Sequence, residues 1–124
     1  MSDKMPYKRI KLLVTVVDRG KSEKLISELR WLGVTFNMAS VGYHAAGMDI
    51  TDYLGLTENE YDIVFSIVQE DKAKAVISMI EYKFNLDEPG NGYAFTIPIS
   101  GVSGPLALRY ISGSMDDEMK SNEE

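Results

Sequence analysis

The chain predicts an α+β domain, with two helices lying on one face of an antiparallel four-stranded sheet. Three observations predict it. Apolar residues alternate with a period of two in four short segments. They recur at helical spacing in two others. The order of these segments is βαβ followed by βαβ, two similar halves.

Residues 10–17 (IKLLVTVV) are rich in β-branched side chains and predict the first strand. Asp18-Arg19-Gly20 is a turn, and Ser22 is placed to cap a helix that begins near Glu23. In that helix Leu25, Ile26, Leu29 and Leu32 form one stripe, and Gly33 can end it in a left-handed conformation. Residues 34–41 predict a second strand. Residues 42–59 form a long polar connection containing Gly42, Gly47 and Gly55. Residues 62–68 (DIVFSIV) predict a third strand. Asp71 is placed to cap a second helix, with Val76, Ile77, Ile80 and Phe84 on its apolar stripe. Residues 85–92 form a loop, and residues 93–99 predict the fourth strand. Residues 101–104 with Pro105 turn the chain again, and residues 106–111 suit a short extra strand. This order is that of a ferredoxin-like βαββαβ sandwich.

The strand patterns do not suit a lone copy. Leu12, Val14 and Val16 oppose Leu13 and Val17. Ile63, Phe65 and Ile67 oppose Val64 and Val68, and Tyr93, Phe95, Ile97 and Ile99 share one face. Both faces of the sheet are therefore apolar, and two helices can cover only one. A large bare apolar face marks an interface, so the sequence predicts an oligomer closed by rotation.

Composition narrows the function classes. The 124 residues suit one domain, and 44% hydrophobic residues suffice for a core. The formal net charge is −6, which opposes nucleic-acid binding, where basic residues supply most of the affinity. Much of this charge lies in residues 114–124, where Asp116, Asp117, Glu118, Glu123 and Glu124 face only Lys120. That tail has too little apolar surface to fold and is expected to be disordered. There are no cysteines, which removes disulfides, thiolate metal sites and thiol nucleophiles. No signal peptide and no membrane-length apolar run is visible, and a cytoplasmic protein without membrane insertion is expected.

The motifs are few. Gly20-Lys21-Ser22 looks like the end of a P-loop, but the motif's first glycine would fall at Thr15, so it reads as a turn and helix start. His44 is the only histidine. A metal site there would have to recruit Asp49 or Asp52 without any HxxxH spacing, so no metal site is assigned. With neither cysteine nor a second histidine, no nucleophile and base pair is visible, and no catalytic residue is assigned. Asp87-Glu88-Pro89-Gly90-Asn91-Gly92 holds more information. Glycines one residue apart permit φ > 0 and close approach of a ligand, and successive N–H groups in such a turn can cradle an anion. An ordinary turn before an edge strand would have the same composition. The connection 42–59 is longer than a routine hairpin, and its apolar groups suit docking on a partner or on its own body. Arg109 is a candidate phosphate clamp, since a guanidinium offers paired donors.

The element order, the long connection and Gly90-Asn91-Gly92-Tyr93-Ala94-Phe95-Thr96-Ile97-Pro98-Ile99 together resemble the PII signal-transduction superfamily. The resemblance spans residues 8–113. Residues 12–20, 52–56 and 91–99 look closest to a divergent PII-like branch of small regulators linked to membrane transport systems. The resemblance implies a homotrimer that binds an adenine nucleotide (ATP, ADP or AMP), with or without Mg²⁺, in clefts between subunits. It implies nucleotide contacts from Asn37, Met38, Ala39, Ser40 and Gly42 on the second strand. Leu86, Gly90, Asn91, Gly92 and Tyr93 would contribute from the B-loop, and Arg109 from the C-terminal segment. It also implies a T-loop, with Tyr43, His44, Asp49, Tyr53 and Leu54, that engages a transporter or enzyme.

The chain departs from the superfamily pattern. Tyr93 follows the second glycine where a lysine is usual, Glu60, Tyr61 and Asp62 stand where another lysine is expected, and residues 101–105 replace an arginine pair. Positive charge is thereby removed from the phosphate region, which favours a ligand of lower charge. Two rivals share the fold: a ligand-free trimeric interaction protein and a divalent-cation-binding tolerance protein.

Overall fold

The computed structural model describes residues 9–43 and 60–104. The elements follow the order strand, helix, strand, strand, helix, strand: β1 (Ile10–Asp18), α1 (Ser22–Trp31), β2 (Asn37–Tyr43), β3 (Glu60–Gln69), α2 (Glu70–Phe84) and β4 (Gly92–Pro98). The sheet order is β2-β3-β1-β4, with every neighbouring pair antiparallel. This is the ferredoxin-like arrangement expected from the sequence.

The strands interlock by side-chain alternation. On one face Leu13, Val17, Val64 and Val68 pack with Leu25 and Leu29 of α1 and with Ala73, Val76, Ile80 and Phe84 of α2. Both helices therefore cover the same face, and their buried residues fall at helical spacing. The helices are tied to each other by Lys83 and Glu28, 3.1 Å apart, and by Lys24 over the Phe84 ring.

The opposite face also carries apolar rows. Across the strands, Met38, Phe65, Val14 and Phe95 form one row, and Ile67, Leu12 and Ile97 form the next. Val14, Val16 and Tyr61 are buried by their neighbours, but Met38, Tyr93, Phe95 and Ile97 remain between 39% and 58% exposed. The bare apolar face inferred from the alternation is thus present on the single chain.

Several local expectations are corrected. Ser22 does not cap α1. It is the first helical residue, Lys21 holds the cap position, and no side chain of the cap residue bonds there. Likewise α2 begins at Glu70, before Asp71, with Gln69 at its cap position. Leu32 lies beyond α1 and is 39% exposed. The second strand starts at Asn37 because Val34 is drawn into the core and its N–H bonds the Leu29 carbonyl. Gly33 has φ 83°, the left-handed helix end expected of it. The extra strand at 106–111 and the acidic tail lie outside the described residues.

Candidate functional site

The antiparallel register collects the important connections at one end of the sheet. Tyr43 pairs with Glu60, Tyr61 with Asp18, and Val17 with Gly92. The turn after β1, the ends of the 44–59 connection and the loop between α2 and β4 therefore share that end. The two ends of the 44–59 connection, Tyr43 and Glu60, and the loop that leads into Gly92 lie at the same end of the sheet.

The α2–β4 loop is held by its own backbone. Asn85 ends α2 in the left-handed region at φ 51°. The N–H of Leu86 donates to the Glu81 carbonyl, that of Glu88 to Asn85, and that of Asn91 to Glu88. The Asn91 side-chain amide also donates to the Asn85 carbonyl, at 3.0 Å. Leu86 turns its side chain onto the core. These amides are spent on shaping the loop. The Gly90 N–H, which follows a proline lacking one, has no partner among the described residues, and Gly90 holds φ 92°.

Gly92 has a different task. A Cβ there would lie 2.0 Å from the Val16 carbonyl oxygen, at φ 122°. The pairing of β4 with β1 requires glycine there. Tyr93 points to the bare sheet face, where its ring stacks near Phe95 with centroids 6.3 Å apart. Burial, with the nearby Tyr61 phenol, pushes the Tyr93 hydroxyl above its ordinary pKa.

On β2 the candidate residues divide between the faces. Asn37 and Ala39 pair with Ser66 and Val64 and lie on the helix side. Met38, Ser40 and Gly42 pair with Phe65, Ile63 and Tyr61 on the bare side. The Asn37 side chain is already engaged: it accepts from the Ser66 hydroxyl at 2.7 Å and donates to the Val34 carbonyl at 3.0 Å. It fastens β2 to β3. At Gly42 an added Cβ would meet the end of the Ile63 side chain.

The sequence reading overlooked Arg19 and Asp62. Asp62, at the start of β3, receives the N–H groups of Gly20 and Ser22 on one carboxylate oxygen, at 2.8 and 3.1 Å. Burial alone would raise its pKa. The hydrogen bonds from the Gly20 and Ser22 amides and the Ser22 hydroxyl, with the charge of Arg19, outweigh it and hold the carboxyl below its ordinary value. Arg19 lies 3.2 Å from Glu60 and 3.6 Å from Asp62. The β1–α1 turn and β2 border an open cleft of about 450 Å³, lined by Arg19, Gly20, Ser22, Ala39, Val41 and Asp62 among others. A signal for this cluster was available in Asp18-Arg19-Gly20, a charged turn that must fall at the same sheet end as Glu60.

The nucleotide candidates do not all meet within one chain. β2 and β4 are the two edges of the sheet, with β3 and β1 between them. Three strand spacings separate them by roughly 14 Å. A site using both Ala39–Ser40 and Gly90 would have to span the width of the sheet or draw on two copies. His44, Asp49, Tyr53, Leu54 and Arg109 lie outside the described residues. Among the described residues no group of His, Asp or Glu side chains is placed to hold a metal ion. No helix among them is long and apolar enough to cross a membrane.

No protein-family model matches the chain, and no curated protein matches it by sequence. Solved structures do. Arabidopsis thaliana PII bound to citrate superposes with a TM-score of 0.60 at 18% identity, covering 87% of this chain and 94% of that one. The B. subtilis GlnK–ATP complex superposes with a TM-score of 0.61 at 20% identity, covering 81% and 92%. The element order, the sheet order and these superpositions agree with the resemblance read from the sequence: the chain has the fold of the PII proteins.

Proposed function

We propose that this chain is a non-enzymatic PII-like regulator, a homotrimer that binds an adenine nucleotide between subunits and signals through the 42–59 segment to a partner, a membrane transporter or an enzyme. The observation that carries the reading is the distribution of candidate residues over both edges of the sheet at one end, beside a bare apolar face. The exposed Met38, Tyr93, Phe95 and Ile97 supply a hydrophobic reason for copies to associate. Association in turn can bring one copy's α2–β4 loop to another's β2. Binding changes the signalling segment only if one of its conformations makes better ligand contacts. The likeness to an ATP complex and to a citrate complex of the same fold supports a small anionic ligand.

Sedimentation equilibrium with isothermal titration of ATP, ADP and AMP tests the proposal. A trimer with saturable binding, weakened in Gly90→Ala, supports it. A folded trimer indifferent to every nucleotide moves the conclusion to a ligand-free interaction protein. One observation favours that second reading: Arg19 and Lys21, two of the cations at this sheet end, already contact carboxylates.

A further inference from the structure

We infer that the acidic segment 114–124 docks on the basic far end of its own domain, so that an acidic peptide binds there only by displacing the segment. The inference stands apart from the nucleotide reading. It starts from how the described lysines and arginines are divided. Arg19, Lys21 and Lys83 contact carboxylates, and Lys24 lies over the Phe84 ring. The others, Arg9, Lys11, Arg30, Lys72 and Lys74, have no ion pair or ring contact among the described residues.

The fold gathers these cations at the end of the sheet opposite the loops described above. Ile10 pairs with Gln69, Lys11 pairs with Pro98, and the Arg9 carbonyl accepts the Glu70 N–H at 2.8 Å. The start of β1, the start of α2 and the end of β4 therefore meet. Arg30 lies in the last turn of α1. The Lys72 ammonium is 3.6 Å from where a side chain at Gly33 would begin, which sets the end of α1 beside the start of α2. Glu70 and Asp71 in the first turn of α2 offset part of this charge, and residues 1–8 add Lys4 and Lys8 against Asp3. Positive charge remains in excess.

The path of the chain supplies the occupant. The Ile99 N–H donates to the Ile10 carbonyl at 3.2 Å, so the chain leaves the sheet at this same end. About 15 residues then lead to Ser114, and a coil of that length reaches roughly 20 Å. Segment 114–124 holds Asp116, Asp117, Glu118, Glu123 and Glu124 against Lys120. Tethering brings these carboxylates to the basic end at an effective concentration on the order of millimolar. The segment needs no fold of its own to stay there, because charge holds it. Exposed ion pairs are weak singly, so salt must release it.

Trp31 is the reporter. It is the chain's only tryptophan, follows Arg30 and is 85% exposed. The chain has no cysteine, so Ser121→Cys accepts a single nitroxide, a short-range quencher of indole fluorescence. In the full chain at about 20 mM salt the nitroxide is expected to quench Trp31 about twofold or more relative to its reduced form, and at about 0.5 M salt the quenching should vanish. Lys72→Gln/Lys74→Gln, changes at exposed positions, should weaken the quenching. Lys21→Gln/Lys24→Gln makes the same change of charge at the other end and should leave it intact. Added polyglutamate should relieve it at around millimolar glutamate segments. Absence of quenching at low salt overturns the inference. So does quenching that survives high salt, that falls equally in the two double variants, or that polyglutamate leaves unchanged. None of these results bears on nucleotide binding.

Discussion

Removing the Asp62 carboxylate tests how β3 organises the sheet end. Its two amide bonds, at 2.8 and 3.1 Å, serve a helix start that has no cap from its own cap residue. The Asp62 side chain is only 8% exposed. Hydrogen bonds to a charged acceptor contribute about 1.5–3 kcal/mol each, but the freed amides of a half-buried turn regain water. Asp62→Ala should therefore cost about 2–3 kcal/mol, above an ordinary cap replacement of about 1 kcal/mol. Asp62→Asn keeps an acceptor and loses the charge on the helix dipole and on Arg19, so about 1 kcal/mol is expected. Urea unfolding at one fixed protein concentration measures both, since an oligomer's stability depends on concentration. If Ala and Asn cost the same and both stay under about 0.5 kcal/mol, Asp62 does not organise the helix start.

The same pair of proteins fixes the pH dependence. The Asp62 carboxyl is held below its ordinary value in the folded chain, so the folded state binds its proton less readily than the unfolded one. Its stabilisation is then complete above the unfolded aspartate value. It is lost as the pH falls through the lowered folded value, in the window below about pH 4. The stability gap between the native chain and Asp62→Asn should be constant near neutrality and close in that acid window. A gap that widens on acidification would refute the assignment.

Three further outcomes are expected. Gly92→Ala places a Cβ against the Val16 carbonyl, and should cost about 4 kcal/mol or more in urea unfolding, whereas Gly90→Ala should cost about 1–2 kcal/mol and leave a folded chain. Thr15 is fully buried on the helix side, and its hydroxyl has no partner among the described residues. Thr15→Val should raise the urea midpoint by the equivalent of about 1 kcal/mol. Phe95→Glu puts a charge in the middle of the bare sheet face and should shift sedimentation from the proposed trimer to monomer without lowering the helical circular dichroism of the remaining protein.

The fold was legible where the pattern is local. A period of two fixes which residues of β1 and β3 share a face, because successive Cβ atoms must alternate. From that alternation alone, Phe95 and Ile97 could be assigned to a face that two helices cannot reach. Helix starts were less legible. Ser22 has the composition of a cap, and a local rule places it there. The amides of the α1 start are taken instead by Asp62, separated in sequence by a strand and a long connection. A carboxylate arriving from across the fold is a stronger acceptor than a neighbouring hydroxyl, and no local pattern announces it.

The site shows the same division. Glycines at 90 and 92 look alike in sequence, and composition suggests a single purpose for both. The backbone separates them: Gly92 is demanded by the approach of β4 to β1, while Gly90 leaves an amide available in a loop already braced by Asn85 and Asn91. A double glycine variant would thus confuse a folding defect with a binding defect, and Gly90 alone is the informative change. Asn37 teaches a related point, since its amide group is consumed by Ser66 and Val34 before any ligand arrives. On β2, Met38 and Tyr43 are exposed as well as Ala39, Ser40 and Val41, and Ala39, Ser40 and Val41 line the cleft beside the β1–α1 turn. Such small residues leave room for a flat heterocycle against the strand. On the proposed nucleotide reading, Asp87→Lys adds a cation to the loop that carries Gly90 and should tighten ATP more than AMP in isothermal titration, without improving discrimination among bases.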